Sequence, residues 1–560
     1  MTSSGVITFT GPDPATEPGI GALTFGGFLD ELVARFGERP ALVSSPSGGR
    51  RVEWTYGELR ERAREVAKAL VAVGVDRATR VGVLMANRPE WIAAVWGAAM
   101  AGGVAVPFNT FVEQRELDHL LRHSDVSVVI AQTEFLRHRF VDDILELCPE
   151  ARTAAPGGIR SADYPFLRRV VRLDGEPTGA LQGWDTFVAA GADVPDSVLD
   201  GIIAETRPIE DGVIIYSSGT TSFPKGVLHR HRGPMLQCWR HAHREQYTTD
   251  DRVYCGLPLF WTAGFAAVLG GTLGSGACLV LPPYFDADDA LRLIEEERVT
   301  VAQIVGAHDV QLQAAYQRLP RDISSIRRDV HRITGEPAPG GAPRPANQAS
   351  YGSSETFTSI TAIPYDAPIV QRHTYGRLTA GSSIRVIDPE TGETHGVGEE
   401  GEIILKGPSL MRGYVKVPPE DLFDAEGFFH TSDLGWFDED GLLHYTGRLS
   451  NMIKTSGANV APLEVEGVLL GHPDIARAVV AGVPDAIAGE IVVACVVTHA
   501  GATLTEDDVR QCLRGSLSSF KIPRRILFFS SVDDLPRTSS EKFNLPAVRA
   551  LAIELLAAEG

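Results

Sequence analysis

The sequence predicts an α/β protein, with a large layered N-terminal domain of mixed sheets and helices followed by a small C-terminal domain with its own α/β pattern. Three observations carry this: strand-helix-strand alternation between Thr55 and Val106, a break at Gly447-Arg448-Leu449-Ser450-Asn451, and 560 residues of which 44% are hydrophobic. A chain of that length and apolar content can bury a sizeable core.

The elements follow from local signals. Thr55-Tyr-Gly-Glu58 forms a capping box, and Leu59, Ala63, Val66, Ala67, Leu70 and Val73 recur at helical spacing until Gly74 stops the run. A strand over 80–86, a helix after Pro89 and a strand over 104–106 come next, an alternation that favours a mostly parallel sheet. Residues 154–200 are rich in Gly, Pro and Asp with weak periodicity and are expected to form a surface excursion. Phe265 to Phe285 has no charged residue and approaches the length of a membrane span. Gly270, Gly271, Gly274 and Gly276 interrupt it and Pro282-Pro283 close it, so a buried helix, a turn and a buried strand are expected. After the break, the pattern predicts a helix over 462–470, strands near 478–483 and 491–497, a helix over 506–517 and a strand over 526–529, enough for a small domain.

A net charge of −20 argues against nucleic acid or an anionic membrane as the main partner. Anionic ligands must then find local positive charge, which directs attention to Lys225, Arg448, Lys454 and Lys542. Cys148, Cys238, Cys255, Cys278, Cys495 and Cys512 form no C-x-x-C pair and read as buried, reduced thiols. Neither a secretory signal nor a basic transit peptide is visible, so a cytoplasmic location is expected. The pairs His229/His231 and His241/His243 have no cysteine or carboxylate at matching spacing and do not suggest a closed metal site.

The most informative segment is Tyr216-Ser217-Ser218-Gly219-Thr220-Thr221-Ser222-Phe223-Pro224-Lys225-Gly226. It follows an apolar, strand-like run over 212–216, so a row of hydroxyl and glycine positions leaves a strand end and runs toward a lysine. Glycine lets main-chain N–H groups turn toward an anion, Ser and Thr add donors, and the lysine adds a full charge, which together cradle phosphate. A plain polar hairpin loop is the alternative. It is not a Walker loop, because Pro224 stands where that motif needs glycine and no helical pattern follows Gly226.

This segment resembles the phosphate-binding loop of the adenylate-forming superfamily, which includes acyl- and aryl-CoA synthetases, peptide-synthetase adenylation domains and firefly luciferase. Four further motifs follow in that family's order, so the resemblance extends from about Thr24 to Leu545. It implies a large N-terminal domain over 1–447 that binds ATP and acid, a hinge over 448–451, and a small mobile α+β lid over 452–560. It also implies the reaction: a carboxylate attacks the α-phosphorus of ATP to give an acyl-adenylate and pyrophosphate, and a thiol then displaces AMP. An anion attacking a polyanion needs its charge offset.

The resemblance assigns roles residue by residue. Ser217, Ser218, Gly219, Thr220, Thr221 and Lys225 would hold the β- and γ-phosphates. Tyr351-Gly352-Ser353-Ser354-Glu355 is similar to the family's Tyr-Gly-x-Thr-Glu motif: Tyr351 would stack on adenine, Ser354 donate to the α-phosphate, and Glu355 hold Mg²⁺, which needs only one or two carboxylates beside phosphate oxygens. Phe429-His430-Thr431-Ser432-Asp433 resembles an aromatic-x-Thr-Gly-Asp motif with Ser432 in place of glycine, making Asp433 the ribose ligand and Arg448 its partner. Pro536-Arg537-Thr538-Ser539-Ser540-Glu541-Lys542 is similar to Pro-x-Thr-x-x-Gly-Lys, with Glu541 where glycine is usual. Lys542 would bridge the acid carboxylate and the α-phosphate. Lys454 would face the site after the lid rotates, and Gly457 would line the tunnel for the pantetheine arm of CoA. The pivot position carries Ser450, where Asp or Lys is usual.

Pro258-Leu259-Phe260-Trp261 resembles a motif whose fourth residue walls or gates the acid pocket, which places Trp261 there, and His308 is a second pocket candidate. For both, ordinary core is the competing reading. Gly335-Glu336-Pro337 resembles the adenine-edge loop, although Gly340-Gly341-Ala342-Pro343 could be that loop instead. The helix and strand the family places before the Tyr-Gly motif have no room in 338–350, and four prolines from Pro337 to Pro345 forbid a helix through its start. The expected cofactors are ATP, Mg²⁺ and CoA, and the expected substrate is a small-molecule carboxylate. Rival readings are an adenylate-forming ligase with another acceptor (a carrier-protein thiol or an amine), a luciferase-like oxygenase, and a non-catalytic nucleotide-binding scaffold.

Overall fold

The computed structural model describes residues 6–559 except 48, 177, 218–223, 305, 337–349, 364–373, 456–457, 486–487, 500, 515–516, 518–520 and 539–541. The Thr55 capping box starts the helix Tyr56–Ala72 as expected: the Thr55 hydroxyl accepts from the Glu58 N–H, and the Glu58 carboxylate accepts from the Thr55 N–H. That helix packs on Pro89–Met100, which is buried along nearly its whole length and so lacks a polar face.

Both helices cover an eight-stranded sheet in the order Gly413–Tyr414, Lys225–Arg230, Asp211–Ser217, Val104–Pro107, Arg80–Leu84, Val128–Ala131, Arg169–Arg172, Leu181–Gly183. From Asp211–Ser217 to Leu181–Gly183 every pairing is parallel, whereas Lys225–Arg230 pairs antiparallel on both sides. A second sheet orders Val301–Gln303, Arg252–Cys255, Cys278–Val280, Pro40–Ser44 and Val52–Thr55. A third, wholly antiparallel sheet runs Phe9–Thr10, Ser383–Ile387, Gly401–Lys406, Phe429–Phe437, Leu443–Arg448.

Residues 154–200 are not a surface excursion. Arg169–Arg172 and Leu181–Gly183 extend the eight-stranded sheet, and Val170, Val171, Phe187 and Leu199 are fully buried. Two-residue apolar runs between polar neighbours were too short to give a period, yet the sheet edge beside Val128–Ala131 buries them.

Phe265 to Phe285 does resolve into a helix, a turn and the strand Cys278–Val280. The helix passes through Gly270, Gly271 and Gly274 and ends before Gly276, whose φ of +77° is left-handed. Gly270 is a packing device, since a Cβ there would lie 2.2 Å from Cys238 Sγ. Over Ala263–Gly270 the helix is wound as a π-helix, a form that recurs at functional sites. Among the described residues no helix is long and apolar enough to cross a membrane. The cysteines are unpaired; five are buried and Cys512 is half-buried.

Among the described residues, every strand after Arg448 pairs only with others of its own set: Ile453–Thr455, Ala458–Val460, Ile475–Asp485, Gly489–Thr498 and Arg525–Phe529. The helix predicted over 506–517 is Glu506–Leu513, and a helix Leu545–Glu559 follows. Within this unit burial raises the Glu466 pKa to about 7 although its carboxylate accepts from Val480 N at 2.8 Å. The raised value means that the folded state holds a proton the unfolded chain has released. The resulting stabilisation is full below about pH 4.5 and is lost as pH rises through 7. Glu466→Gln should flatten the pH dependence of this unit's melting between those values; an unchanged slope would show that Glu466 does not cause it.

Candidate active site

Ser217 and Lys225 face each other in register at the end of two antiparallel strands. Ser218, Gly219, Thr220 and Thr221 lie outside the described residues. A strand, not a helix, follows Lys225, which separates this hairpin from the Walker geometry. The helix Gln114–Ser124 holds both stems: His119 Nε2 lies 3.1 Å from Pro224 O and His123 Nδ1 lies 2.9 Å from the Tyr216 hydroxyl. The Lys225 ammonium lies over the Tyr414 ring, 5.1 Å from its centroid.

The Tyr351–Glu355 segment is clamped from several directions. Gly352 admits no side chain, because a Cβ would lie 1.7 Å from Thr358 O on the paired strand. His229 Nε2 lies 2.7 Å from the Ser354 carbonyl, and burial lowers its pKa to about 4. A neutral ring facing a carbonyl must carry its proton on Nε2 and donate it. Gln237 Nε2 donates to Thr356 O and Ser359 O. Met411 N donates to Glu355 O at 2.7 Å, and the Tyr414 hydroxyl donates to Glu355 Oε1 at 2.6 Å. From below, the π-helix presents Phe265 edge-on to Phe357, with ring centroids 5.3 Å apart.

A second group forms at the other end of this segment. The Tyr351 hydroxyl donates to Asp433 Oδ2 at 2.8 Å, and Arg448 Nε donates to Oδ1 at 2.7 Å. Asp433 and Arg448 are register partners across two strands, and Asp433 is only 6% exposed. Burial, the largest influence, pulls the Arg448 pKa down, but the charge and hydrogen bond of Asp433 together with the nearby Tyr445 and Glu355 outweigh it and the net shift is upward. Burial, then the Asp433 charge, holds the Tyr351 phenol well above its ordinary value.

Ser432 has φ +57°, the left-handed conformation that explains why glycine suits this position, and its N–H donates to Glu402 Oε1 at 2.9 Å. Ser432→Val should lower unfolding stability by roughly 1–2 kcal/mol, because a branched Cβ is worst tolerated there. Ser432→Gly should stay within about 1 kcal/mol of the parent. Equal denaturant midpoints for all three proteins would count against a strained residue.

Trp261 and His308 line one cavity of about 440 Å³, together with Phe111, Phe135, Phe260 and Phe285. His308 stacks on Phe285 at 3.7 Å, and burial lowers its pKa to about 4. The Asn87 amide donates to Leu257 O and its carbonyl accepts from Leu259 N, fixing the loop that carries Trp261.

Gly335 caps the helix His331–Thr334 in a left-handed conformation, and Glu336 is exposed with its N–H on Thr334 Oγ1. Their hydrogen bonds are local, and Pro337 lies outside the described residues. In the C-terminal unit Lys454 and Lys542 are exposed. The Lys454 N–H donates to Glu490 Oε2, the Lys542 carbonyl accepts from Thr538 N, and Gly457 lies outside the described residues. Among the described residues no hydrogen bond or ion pair joins either lysine to Glu355 or Asp433. The paired histidines take partners from distant segments and not from one another: His231 Nδ1 accepts from Phe25 N and His241 Nε2 meets Thr358 Oγ1.

Sequence reasoning missed Tyr414, Gln237, Asn87 and the His119/His123 pair. Only Gly413-Tyr414, a small residue before an aromatic, gave any local hint of a short strand.

The model of the AMP-binding enzyme family matches residues 29–415, more than half of the chain. The chain belongs to the AMP-binding enzymes. The family's C-terminal domain matches residues 464–542. Among curated relatives of the enzyme, a (methyl-dioxo-octahydroindenyl)propanoyl:CoA ligase of Mycobacterium tuberculosis is 33% identical over 93% of this chain and 98% of its own. A mitochondrial medium-chain acyl-CoA ligase of Mus musculus is 28% identical over 96% of this chain and 91% of its own. Among solved structures, ATP-bound MatB from Rhodopseudomonas palustris is 28% identical, with a TM-score of 0.74 over 95% of this chain and 99% of its own.

Proposed function

We propose that the enzyme activates a carboxylic acid with ATP and transfers the acyl group to CoA, as an AMP-forming acid-thiol ligase. The observation that carries this reading is the Tyr351–Glu355 segment. One end joins Tyr351 to Asp433 and Arg448, a set suited to a nucleoside, and the other joins Glu355 to Tyr414 beneath Lys225, a set suited to phosphates. A single short segment thus spans the two ends of a nucleotide.

In this reading Asp433 accepts from the ribose hydroxyls using the lone pairs that Tyr351 and Arg448 leave open, and the Tyr351 ring faces the base. Ser217 to Lys225 and Ser354 meet the phosphates, and the 335–337 loop flanks adenine. Glu355 is the residue that would hold Mg²⁺. Its Oε2 has no partner among the described residues, and a single carboxylate suits an ion that completes its shell with phosphate oxygens and water. When bound, the metal offsets phosphate charge. An acid oxygen attacks the α-phosphorus, the bond from that phosphorus to the bridging oxygen breaks, and pyrophosphate leaves. Lys542 brings the two anions together.

The CoA sulfur, having lost its proton, then attacks the acyl carbon, and the carbon–oxygen bond to AMP breaks. The exposure of Lys454 and Lys542 supports a C-terminal lid over 452–560 that turns about 448–451 and presents each in turn, with Gly457 lining the thiol's approach. The self-contained strand pairing after Arg448 supports the same boundary. Trp261 and His308 belong to the chamber where acid and thiol meet. Unpaired cysteines support a reducing compartment, the cytoplasm.

The test is pyrophosphate release across short, medium, long and aromatic carboxylates, with and without CoA, products identified by mass. A CoA thioester establishes the ligase and narrows its acid. Acyl-AMP alone would move the reading to another acceptor, and no release with any acid would sink it.

A further inference from the structure

We propose that Tyr414 is a positioning residue for adenylation, holding the Glu355 carboxylate and the Lys225 ammonium apart at a set spacing so that both address one triphosphate. The proposal rests on the roles given above to Glu355 and Lys225. Tyr414 lies on a two-residue strand tied to the strand of Lys225: it is the register partner of Val227, Val415 N donates to Gly226 O, and Arg412 N donates to Leu228 O, each at 2.8 Å. The same segment is tied to Glu355 by Met411 N, which donates to its carbonyl at 2.7 Å. Residues 411–415 therefore bridge two chain segments that sequence separates by more than a hundred positions.

The phenol completes the bridge with both of its faces of chemistry. Its hydroxyl donates to Glu355 Oε1 at 2.6 Å, and its ring faces Lys225 Nζ at 5.1 Å. A direct ion pair between this carboxylate and this ammonium would neutralise both and leave neither for a ligand, and the phenol gives each of them another partner. Among the described residues no Lys225–Glu355 ion pair forms. The ring gives the ammonium a weaker partner that phosphate can displace, and the hydroxyl fixes the carboxylate rotamer with Oε2 left over. Tyr414 also packs edge-on to Phe429, with centroids 6.4 Å apart, so a purely structural role must be separated by experiment.

The test uses the full chain and three variants, Tyr414→Phe, Tyr414→Leu and Glu355→Gln. Tyr414→Phe keeps the ring and the strand pairing and removes only the hydroxyl. It should raise the Mg²⁺ concentration giving half-maximal pyrophosphate release by about tenfold, the effect of losing a hydrogen bond to a charged group. Mn²⁺ binding to the protein with a non-hydrolysable ATP analogue, read as loss of the free-ion paramagnetic resonance signal, should weaken by a similar factor. Metal-free binding of the analogue should be unchanged. Tyr414→Leu should add a several-fold rise in KM for ATP through loss of the ring. Unchanged metal affinity in Tyr414→Phe, with affinity lost in Glu355→Gln, would overturn the role of Tyr414 and leave the site reading standing. Unchanged metal affinity in Glu355→Gln as well would overturn both.

Discussion

Replacing Lys542 with alanine should lower acid-dependent pyrophosphate release by about a hundredfold to a thousandfold, the usual effect of removing one charge aimed at a developing anion. Transfer from a supplied acyl-adenylate to CoA should fall by less than about tenfold, because in the proposed role the lysine acts on the approach of acid to phosphorus and that approach is complete in the adenylate. Lys542 is exposed and in the C-terminal unit, so its loss leaves no buried group unpaired and the melting temperature should not move. Single-turnover measurements of the two half-reactions check this. Wild-type adenylation in the variant would remove Lys542 from the mechanism, and equal losses in both half-reactions would point to a general effect on the C-terminal unit.

Replacing Asp433 with asparagine should act on the nucleotide end. The carboxylate takes the Tyr351 hydroxyl on one oxygen and Arg448 on the other while 6% exposed. The variant keeps the shape but removes the charge that both donors face. The KM for ATP should rise by about 30- to 100-fold, since hydrogen bonds to an ionised acceptor are the strong ones. Unfolding stability should fall by only about 1–2 kcal/mol, because the Arg448 side chain is 45% exposed and water can take the place of its partner. In a double-mutant cycle with Tyr351→Phe, a coupling of about 0.5–3 kcal/mol is expected for two groups in direct contact. Zero coupling in ATP binding would show that Tyr351 and Asp433 do not act as a unit.

These two predictions differ in how visible their residues were. Lys542 and Asp433 each belong to a short contiguous pattern, and each pattern marks a turn or a strand end whose geometry is local. Ser432 illustrates this: the position that resembled a glycine has the left-handed φ that glycine serves. The capping box at Thr55 and the helix and strand around Gly270 were legible for the same reason. Tyr414 was not, because its meaning comes from Glu355 and Lys225, both far away in sequence. Residues 154–200 misled because strands at a sheet edge can be two or three apolar residues long, too short to show a period.

The sequence by itself determined the alternating elements after Thr55, the break near Arg448, the apolar strand that runs toward Lys225, and the residue types at the proposed nucleotide site, because capping, periodicity and turn chemistry act over a few residues. The tertiary structure alone decided which of these groups touch. It put the Tyr351 hydroxyl on Asp433, His229 on the Ser354 carbonyl, and the Tyr414 phenol between a cation and an anion. Such contacts depend on strand order and on burial summed over distant segments, and no local pattern contains that information.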